Sequence, residues 1–563
     1  MGKIKLREKV LLSYSVVFPD RHDRIESLLN TVPSATAIES ISYYLSKRMN
    51  MFVGEHEMNI WVPWIMKTRS DVRNRIGQYA QRNNLANMAL IDSYAMLLLI
   101  SKLLSNYNGR HDELTENDIS NLLLAYMICC DERLSLNNAI SDDNMDAEKY
   151  VKAYLPNALK TYDMEFPRDY RLMLIKCYCL LIEFPKHNTK FAAYLDIFCK
   201  ERGLPASKAY LDHLFKIFLE LSSNGDFSTT LMEVDPVCND TIHFLDSFSI
   251  NTELYFHDMD FKMIREKPVL KTGTHRYDFM FMKMFLDKAY TGFLFDMKDV
   301  LVKRRILDEK NGYMDLRSLL GEEFSERFFF YSLMKRCFGN RYVKYDGEEL
   351  EKKFGKGMPD YYMRRGNRIF VFECKDAQIA SRIKLSGDYE IIKNAIFEKY
   401  VVNVKGHSKG ISQLAKVIKE KLADIVRDVD NAAPKGTKYV FPIIIYFDEC
   451  FDIEGPSYLL NNEFEKMVDN VSCSADFVVK DVVMINIESL MMLEDFFEND
   501  KLMLASIINS YIDFKSREDI YQVFPFNKFL FHEAKTKGFL LKKTKWFDEV
   551  YQNLIAMDKN KQN

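Results

Sequence analysis

Gly357-Met-Pro-Asp360 and, after a short gap, Ile369-Phe-Val-Phe-Glu-Cys-Lys375 are the two stretches from which this chain is read. Four apolar residues run into Glu-Cys-Lys, so the segment reads as a buried strand that ends in charge. Successive strand side chains alternate faces, which puts Glu373 and Lys375 on one side and Cys374 on the other. Asp360 lies before the turn Arg364-Arg-Gly-Asn-Arg368, which returns the chain as a hairpin. Charged groups at the end of a buried strand need partners or a metal ion. Pro-Asp alone is a common turn pair, and Glu-x-Lys alone is ordinary surface patterning. Together, with 373 − 360 = 13 positions between the acids, they make a constellation suited to metal-assisted cleavage of a phosphodiester.

The flanking sequence predicts a helix over Glu322–Cys337 stopped by Gly339, then a strand over Arg341–Tyr345. Asp360 follows a polar loop. After the hairpin come helices over Tyr389–Tyr400 and Ile411–Val429. The continuous apolar runs Val440–Phe447 and Val482–Ile487 are expected of strands covered on both faces. The order is helix, three strands, helix, strand, then a further helix and strand.

In motif and element order this half resembles the PD-(D/E)xK, or restriction-endonuclease-like, nuclease superfamily, with Pro359-Asp360 and Glu373-Cys374-Lys375 as the two halves of its motif. The resemblance covers residues 311–500. It implies a three-layer α/β/α domain and a Mg²⁺-dependent (or Mn²⁺-dependent) nuclease. Asp360 and Glu373 would hold the metal through side-chain oxygens, the Cys374 carbonyl would add a ligand, and Lys375 would orient the attacking water and offset charge.

Many members add a glutamate from the preceding helix. Glu326 shares an otherwise apolar helical face with Phe330, Leu333 and Cys337, which favours it. The family pattern Gly-x-x-Phe-Glu is broken here by Ser325, so Glu323 stays open. Gln413 matches a glutamine that some families carry downstream, although Val417 stands where a tyrosine is usual. Lys405, His407, Lys409 and Lys416 form a basic cluster nearby, suited either to phosphate or to solvent.

The implied partner is a nucleic acid, DNA foremost, and the implied setting is bacterial restriction or anti-phage defence. An RNase or structure-specific repair nuclease, and an inactive nucleic-acid-binding module, are the alternatives. A homo-oligomer or partner defence proteins would fit such a system.

The chain has 563 residues, 47% hydrophobic, with a formal net charge of −3. That balance excludes a polycationic coat protein and leaves nucleic-acid binding to local patches. Ten cysteines contain no Cys-x-x-Cys pair, which argues against a zinc ribbon and for reduced thiols in a cytoplasmic setting. The first residues lack the apolar core of a signal peptide, and charged residues interrupt the apolar run near Ala86–Leu104, so no membrane association is expected. No phosphate-binding Gly-rich loop, Gly-x-Ser-x-Gly elbow or His-Glu-x-x-His helix occurs.

The fold class expected is α+β and multidomain. Residues 1–225 form a mainly helical region for recognition, sensing or assembly, and 226–310 a mixed bridging segment. The nuclease domain spans 311–500, and 501–563 is a helical extension. The second half, from Asn311, reads as an independent core. Trp61, Pro63 and Trp64 with Lys67, Arg69 and Arg73 form an aromatic-basic cluster in the first region. It reads first as a core edge with a solvated basic face, and second as a site that stacks bases or binds phosphate.

Overall fold

The computed structural model describes residues 10–48, 57–83, 88–136, 145–165, 168–223, 226–430, 435–469, 476–537 and 545–562. The chain is mixed α/β and divides into two compact units. One comprises residues 1–137, 164–182 and 189–306; the other comprises 138–163, 183–188 and 307–563. None of the described helices is long and apolar enough to cross a membrane.

The first unit is mainly helical, around a core that includes the helices Ser93–Ser105 and Glu116–Ser135. Thr115 and Asp118 close a reciprocal capping box at the start of the latter. The segment read as a bridge belongs to this unit and carries its own three-stranded antiparallel sheet, Leu231–Glu233, Arg276–Phe279 and Val269–Lys271. Trp61 and Trp64 are buried, packed on each other, on Tyr126 and, for Trp64, on Tyr44. Their rings are therefore core, and the base-stacking alternative for this cluster falls away.

The second unit is built on one mixed sheet of β1 (Val343–Asp346), β2 (Tyr361–Arg365), β3 (Arg368–Lys375), β4 (Lys438–Tyr446), β5 (Phe477–Val479) and β6 (Val483–Asn486). β1, β2 and β3 pair antiparallel; β4 pairs parallel with β3, and β5 and β6 pair parallel with β4. β5 bonds to β4 as far as Val440 and β6 takes over at Ile443. Pro442 stands in that gap and has no N–H to give a neighbouring strand, which is why the last strand is split in two.

Helices cover both faces. In register, Tyr362 and Arg364 share a face with Ile369, Val371, Glu373 and Lys375, whereas Tyr361 goes with Phe370, Phe372 and Cys374. The second face meets helix α1, a continuous winding of Gly312–Leu319, a π-helical stretch Leu320–Phe330, and Tyr331–Cys337. Its Phe330 ring lies 5.9 Å from Tyr361 and 6.0 Å from Phe372. The first face meets α4 (Gly410–Glu420) and α5 (Leu422–Asp428). Just beyond α5, buried Asp430 accepts from the Tyr362 hydroxyl at 2.8 Å and takes Arg364 in a two-pronged ion pair. α3 (Tyr389–Tyr400) and α6 (Pro456–Asp469) complete the crossovers from β3 to β4 and from β4 to β5.

Three local expectations change. The helix expected over Glu322–Cys337 begins ten residues earlier, and its middle is π-wound (322 − 312 = 10). The polar loop before Asp360 holds a helix, α2 (Gly347–Phe354), because Asp346 and Glu349 close a capping box. The helix expected over Ile411–Val429 is two helices broken at Lys421.

The two units also cut across the four expected segments. The helix Ala147–Glu165 lends residues up to Asp163 to the second unit. Val151, Leu155 and Leu159 are buried, and Val151 closes on Gly455, where an added Cβ would meet it at 3.0 Å. Gly455 has φ +115°, a conformation open to glycine alone. Tyr162 accepts a hydrogen bond from Lys384, and Asp519 accepts the Ala147 N–H. A fragment beginning at Asn311 therefore loses an apolar face of its core, so it should stay insoluble or unfold without a sigmoidal transition. In the full chain, Leu155→Ala should cost about 2–5 kcal/mol, read as a lower urea midpoint. A soluble fragment with a cooperative urea transition would show the helix to be dispensable.

Candidate active site

A strand with a buried apolar middle delivers its charge at one end. β3 is buried from Ile369 to Cys374, and Glu373 is fully buried. The Lys375 ammonium lies 2.6 Å from Glu373 Oε1 and 3.8 Å from Asp360 Oδ2, so one cation sits between two carboxylates. No hydrogen-bond donor reaches Glu373 Oε2 among the described residues.

Asp360 is placed from both sides. Its Oδ2 accepts the Cys374 N–H at 2.7 Å, which ties the residue before β2 to the end of β3. Its carbonyl accepts the Gly347 N–H at 2.9 Å, at the start of α2. A Cβ at Gly347 would stand 3.1 Å from the Pro359 carbonyl oxygen and 3.1 Å from the Tyr331 hydroxyl. Glycine there allows α2 to approach Pro359-Asp360 this closely. The Cys374 side chain points to the other face, and burial pushes its thiol well up.

Glu326 joins this group from α1 and shares a hydrogen bond with the Asp360 carboxyl. Burial, then the Asp360 charge, pushes Glu326 up to about 10, against the opposing pull of Lys375. Burial and Asp360 likewise raise Glu373 to about 8, opposed by Lys375 and, from the start of α4, by Lys409. For Lys375, burial favours the neutral amine, but Glu373 and Asp360 outweigh it and hold its pKa above the usual lysine range. Glu323 lies outside this group: it pairs with Arg327 at 3.1 Å.

Four of the sequence-derived candidates, Asp360, Glu373, Lys375 and Glu326, thus come together. Gln413 does not join them. Its side-chain oxygen accepts the Gly410 N–H at 3.0 Å and closes the first turn of α4. Val417, where a tyrosine was looked for, is buried. Of the basic cluster, Lys409 acts electrostatically on Glu373, while Lys405, His407 and Lys416 are exposed.

Sequence reading missed the network behind the site. Asp376, the residue after the motif lysine, is held by Arg317 at 2.6 Å and accepts from the Ser325 hydroxyl at 2.6 Å. Ser325 and Glu326 are consecutive on the π-wound stretch, and both turn toward the end of β3. The signal was present: Ser325 is the residue that breaks the Gly-x-x-Phe-Glu pattern. The other residue that holds Asp376, Arg317, lay outside the predicted helix.

The donors gathered here are all oxygens, the type that suits Mg²⁺ or Mn²⁺. Three buried or half-buried carboxylates gather near one ammonium, which contacts Glu373, and Glu373 Oε2 is orphaned; this donor chemistry fits a hard divalent cation. Among the described residues, no three His, Cys, Asp or Glu side chains are already disposed around one cation position; the Lys375 ammonium lies between Asp360 and Glu373 instead.

No family model matches the chain, and no curated protein and no solved structure matches it. The raised carboxyl values make a stability prediction that needs no relative. Unfolded glutamates titrate near about 4.3, so above that pH the folded state holds protons the unfolded state has released. Stability of the metal-free protein should therefore fall as pH rises from about 5 toward the values near 8 and 10. Asp452 and Glu494, raised to about 8 and about 7 chiefly by burial, slope the same way. The difference between variants isolates the site. Glu326→Gln should flatten part of the fall and raise Tm at pH 9 by roughly 2–4 °C, the shift about 1 kcal/mol produces in a unit of this size. Parallel Tm–pH curves for the two proteins would mean Glu326 is not charged against Asp360.

Proposed function

We propose that the second unit is a metal-dependent nuclease of the restriction-endonuclease-like type, hydrolysing phosphodiester bonds in DNA. The observation that carries this reading is the meeting of Asp360, Glu373, Lys375 and Glu326 at the end of β3. Composition gives no reason for three carboxylates and a lysine to be gathered at the end of an apolar strand. The sheet order and the helices on both faces are compatible with the three-layer domain that the motif implies.

In this reading Asp360, Glu373 and Glu326 would hold a Mg²⁺ or Mn²⁺ ion, and the Cys374 carbonyl would be a further ligand. A bound divalent ion supplies charge neutralisation at the phosphate and a lower pKa for water. The protein's own part is positional and electrostatic. The Cys374 N–H and the Gly347 N–H fix Asp360, so its carboxylate need not reorganise when substrate arrives. Arg317 and Ser325 hold Asp376, which keeps the strand end against α1. Lys375 hydrogen-bonds the attacking water and offsets charge that grows on the phosphoryl oxygens. Lys409, at the start of α4, would meet a backbone phosphate.

Purified protein should nick or cut plasmid DNA with Mg²⁺ and lose that activity in excess chelator. Asp360→Ala should lower turnover by about a hundredfold or more. Lys375→Ala should lower it comparably while the protein keeps its Mg²⁺-induced rise in Tm, since lysine is not a ligand. Linear duplex, single-stranded DNA and RNA run beside the plasmid decide the substrate. Cleavage that persists in chelator, or an Asp360→Ala protein as active as the parent, would overturn the mechanism.

A further inference from the structure

The first unit holds a cleft of about 500 Å³ between the helices Ser34–Arg48 and Glu57–Met66 and the strand Leu231–Glu233 with the two threonines before it. That volume is in the range of small-molecule sites. Its lining is polar at both ends. On the inner side Glu39, a side chain nine-tenths buried, keeps Oε1 without a hydrogen-bond partner, while Oε2 accepts from Arg276 at 2.8 Å. Asp278 pairs in register with Leu231, a lining residue, so its side chain lies on the same face of the sheet. It is fully buried, and its carboxyl is held by the Ser42 hydroxyl at 2.7 Å and by Thr230, one of the two lining threonines. The one acceptor left open beside the cleft, Glu39 Oε1, is costly unless something donates to it. At the other end stand Lys47, Lys67 and the Tyr43 ring, which is 42% exposed and has the Lys47 ammonium 5.3 Å from its centroid.

We propose that this cleft binds a guanine nucleotide, with the base edge on Glu39, the ring against Tyr43 and the phosphate on Lys47 and Lys67. The choice of base follows from the carboxylate. A carboxylate accepts only, so it selects an edge on which donors are adjacent. Guanine presents N1–H beside the N2 amino group. The amino group of adenine lies between two ring acceptors, that of cytosine stands beside one acceptor and a C–H, and the N3–H of uracil lies between two carbonyls. Those edges would set lone pairs against lone pairs. The lysines exclude a purely cationic ligand and call for an anion at the far end. An exposed tyrosine ring adds a stacking surface.

This inference goes beyond the nuclease reading and does not depend on it. The test is calorimetric titration of the full-length protein with GMP, AMP, guanosine and inorganic phosphate. It is run without divalent metal, so that the acid cluster of the second unit attracts no phosphate. GMP should bind saturably, with AMP and inorganic phosphate at least about tenfold weaker, an energy of about 1.4 kcal/mol. Glu39→Gln should lower GMP affinity about tenfold and leave AMP unchanged, because the amide places a donor against guanine. Lys67 is exposed, so Lys67→Ala does not endanger the fold; it should weaken GMP and leave guanosine as it was. No saturable GMP binding, equal affinity for AMP, or phosphate alone matching GMP would each overturn the proposal. So would a Lys67→Ala protein that binds GMP like the parent.

Discussion

A buried strand that must end in charge governs the second unit. β3 has hydrogen-bonded neighbours on both sides and helices on both faces, so its middle can only be apolar. Its end carries Glu373 inward, where among the described residues the Lys375 ammonium meets it at 2.6 Å. Leaving such a carboxylate unbalanced would cost several kcal/mol. The arrangement around it offsets that cost in part, through Lys375 in contact and Lys409 farther off. It also adds to the strain by bringing Asp360 and Glu326 close. The stability of the fold and the electrostatic tension of the site are thus two aspects of the same strand end, as is common where a protein concentrates function.

The backbone around this point is arranged to hold still. Asp360 is gripped by an amide from β3 and by an amide from the start of α2. Asp376 is gripped by a guanidinium and a hydroxyl from α1. Each grip joins two different elements, and those on Asp376 span 59 and 51 residues, so no single loop controls the geometry. The π-wound stretch of α1 contributes here: its wider turn lets neighbouring Ser325 and Glu326 both address the strand end, which the 100° step of an ordinary helix makes difficult.

Much of this was legible in the sequence, because the signals were local. The alternation in Ile369–Lys375 and the spacing from Asp360 set the hairpin and the charged strand end. The apolar runs after Tyr439 and Asp481 marked the buried parallel strands. The illegible parts were those fixed by partners far along the chain. Asp376 looks like one more surface acid until Arg317 is known to face it. Gln413 matched by position, yet its side chain serves the first turn of its own helix. The Trp61 and Trp64 pair, read first as a core edge, is core, but the Tyr44 and Tyr126 rings that close over it could not be named from the sequence. The capping box at Asp346 and Glu349 was local and readable, and was overlooked within a polar stretch.

The interleaving of the two units has a consequence for the chain as it is made. Val151 emerges from the ribosome 304 positions before Gly455, the residue it packs on (455 − 151 = 304). At about 5–20 residues per second, the helix Ala147–Glu165 waits roughly 15–60 s for its partners, with Val151, Leu155 and Leu159 uncovered. The second unit is therefore of high contact order whatever the locality of its hairpins, and its completion is bound to be late. During that interval the apolar stripe is a surface that chaperones, or a second nascent chain, can reach first.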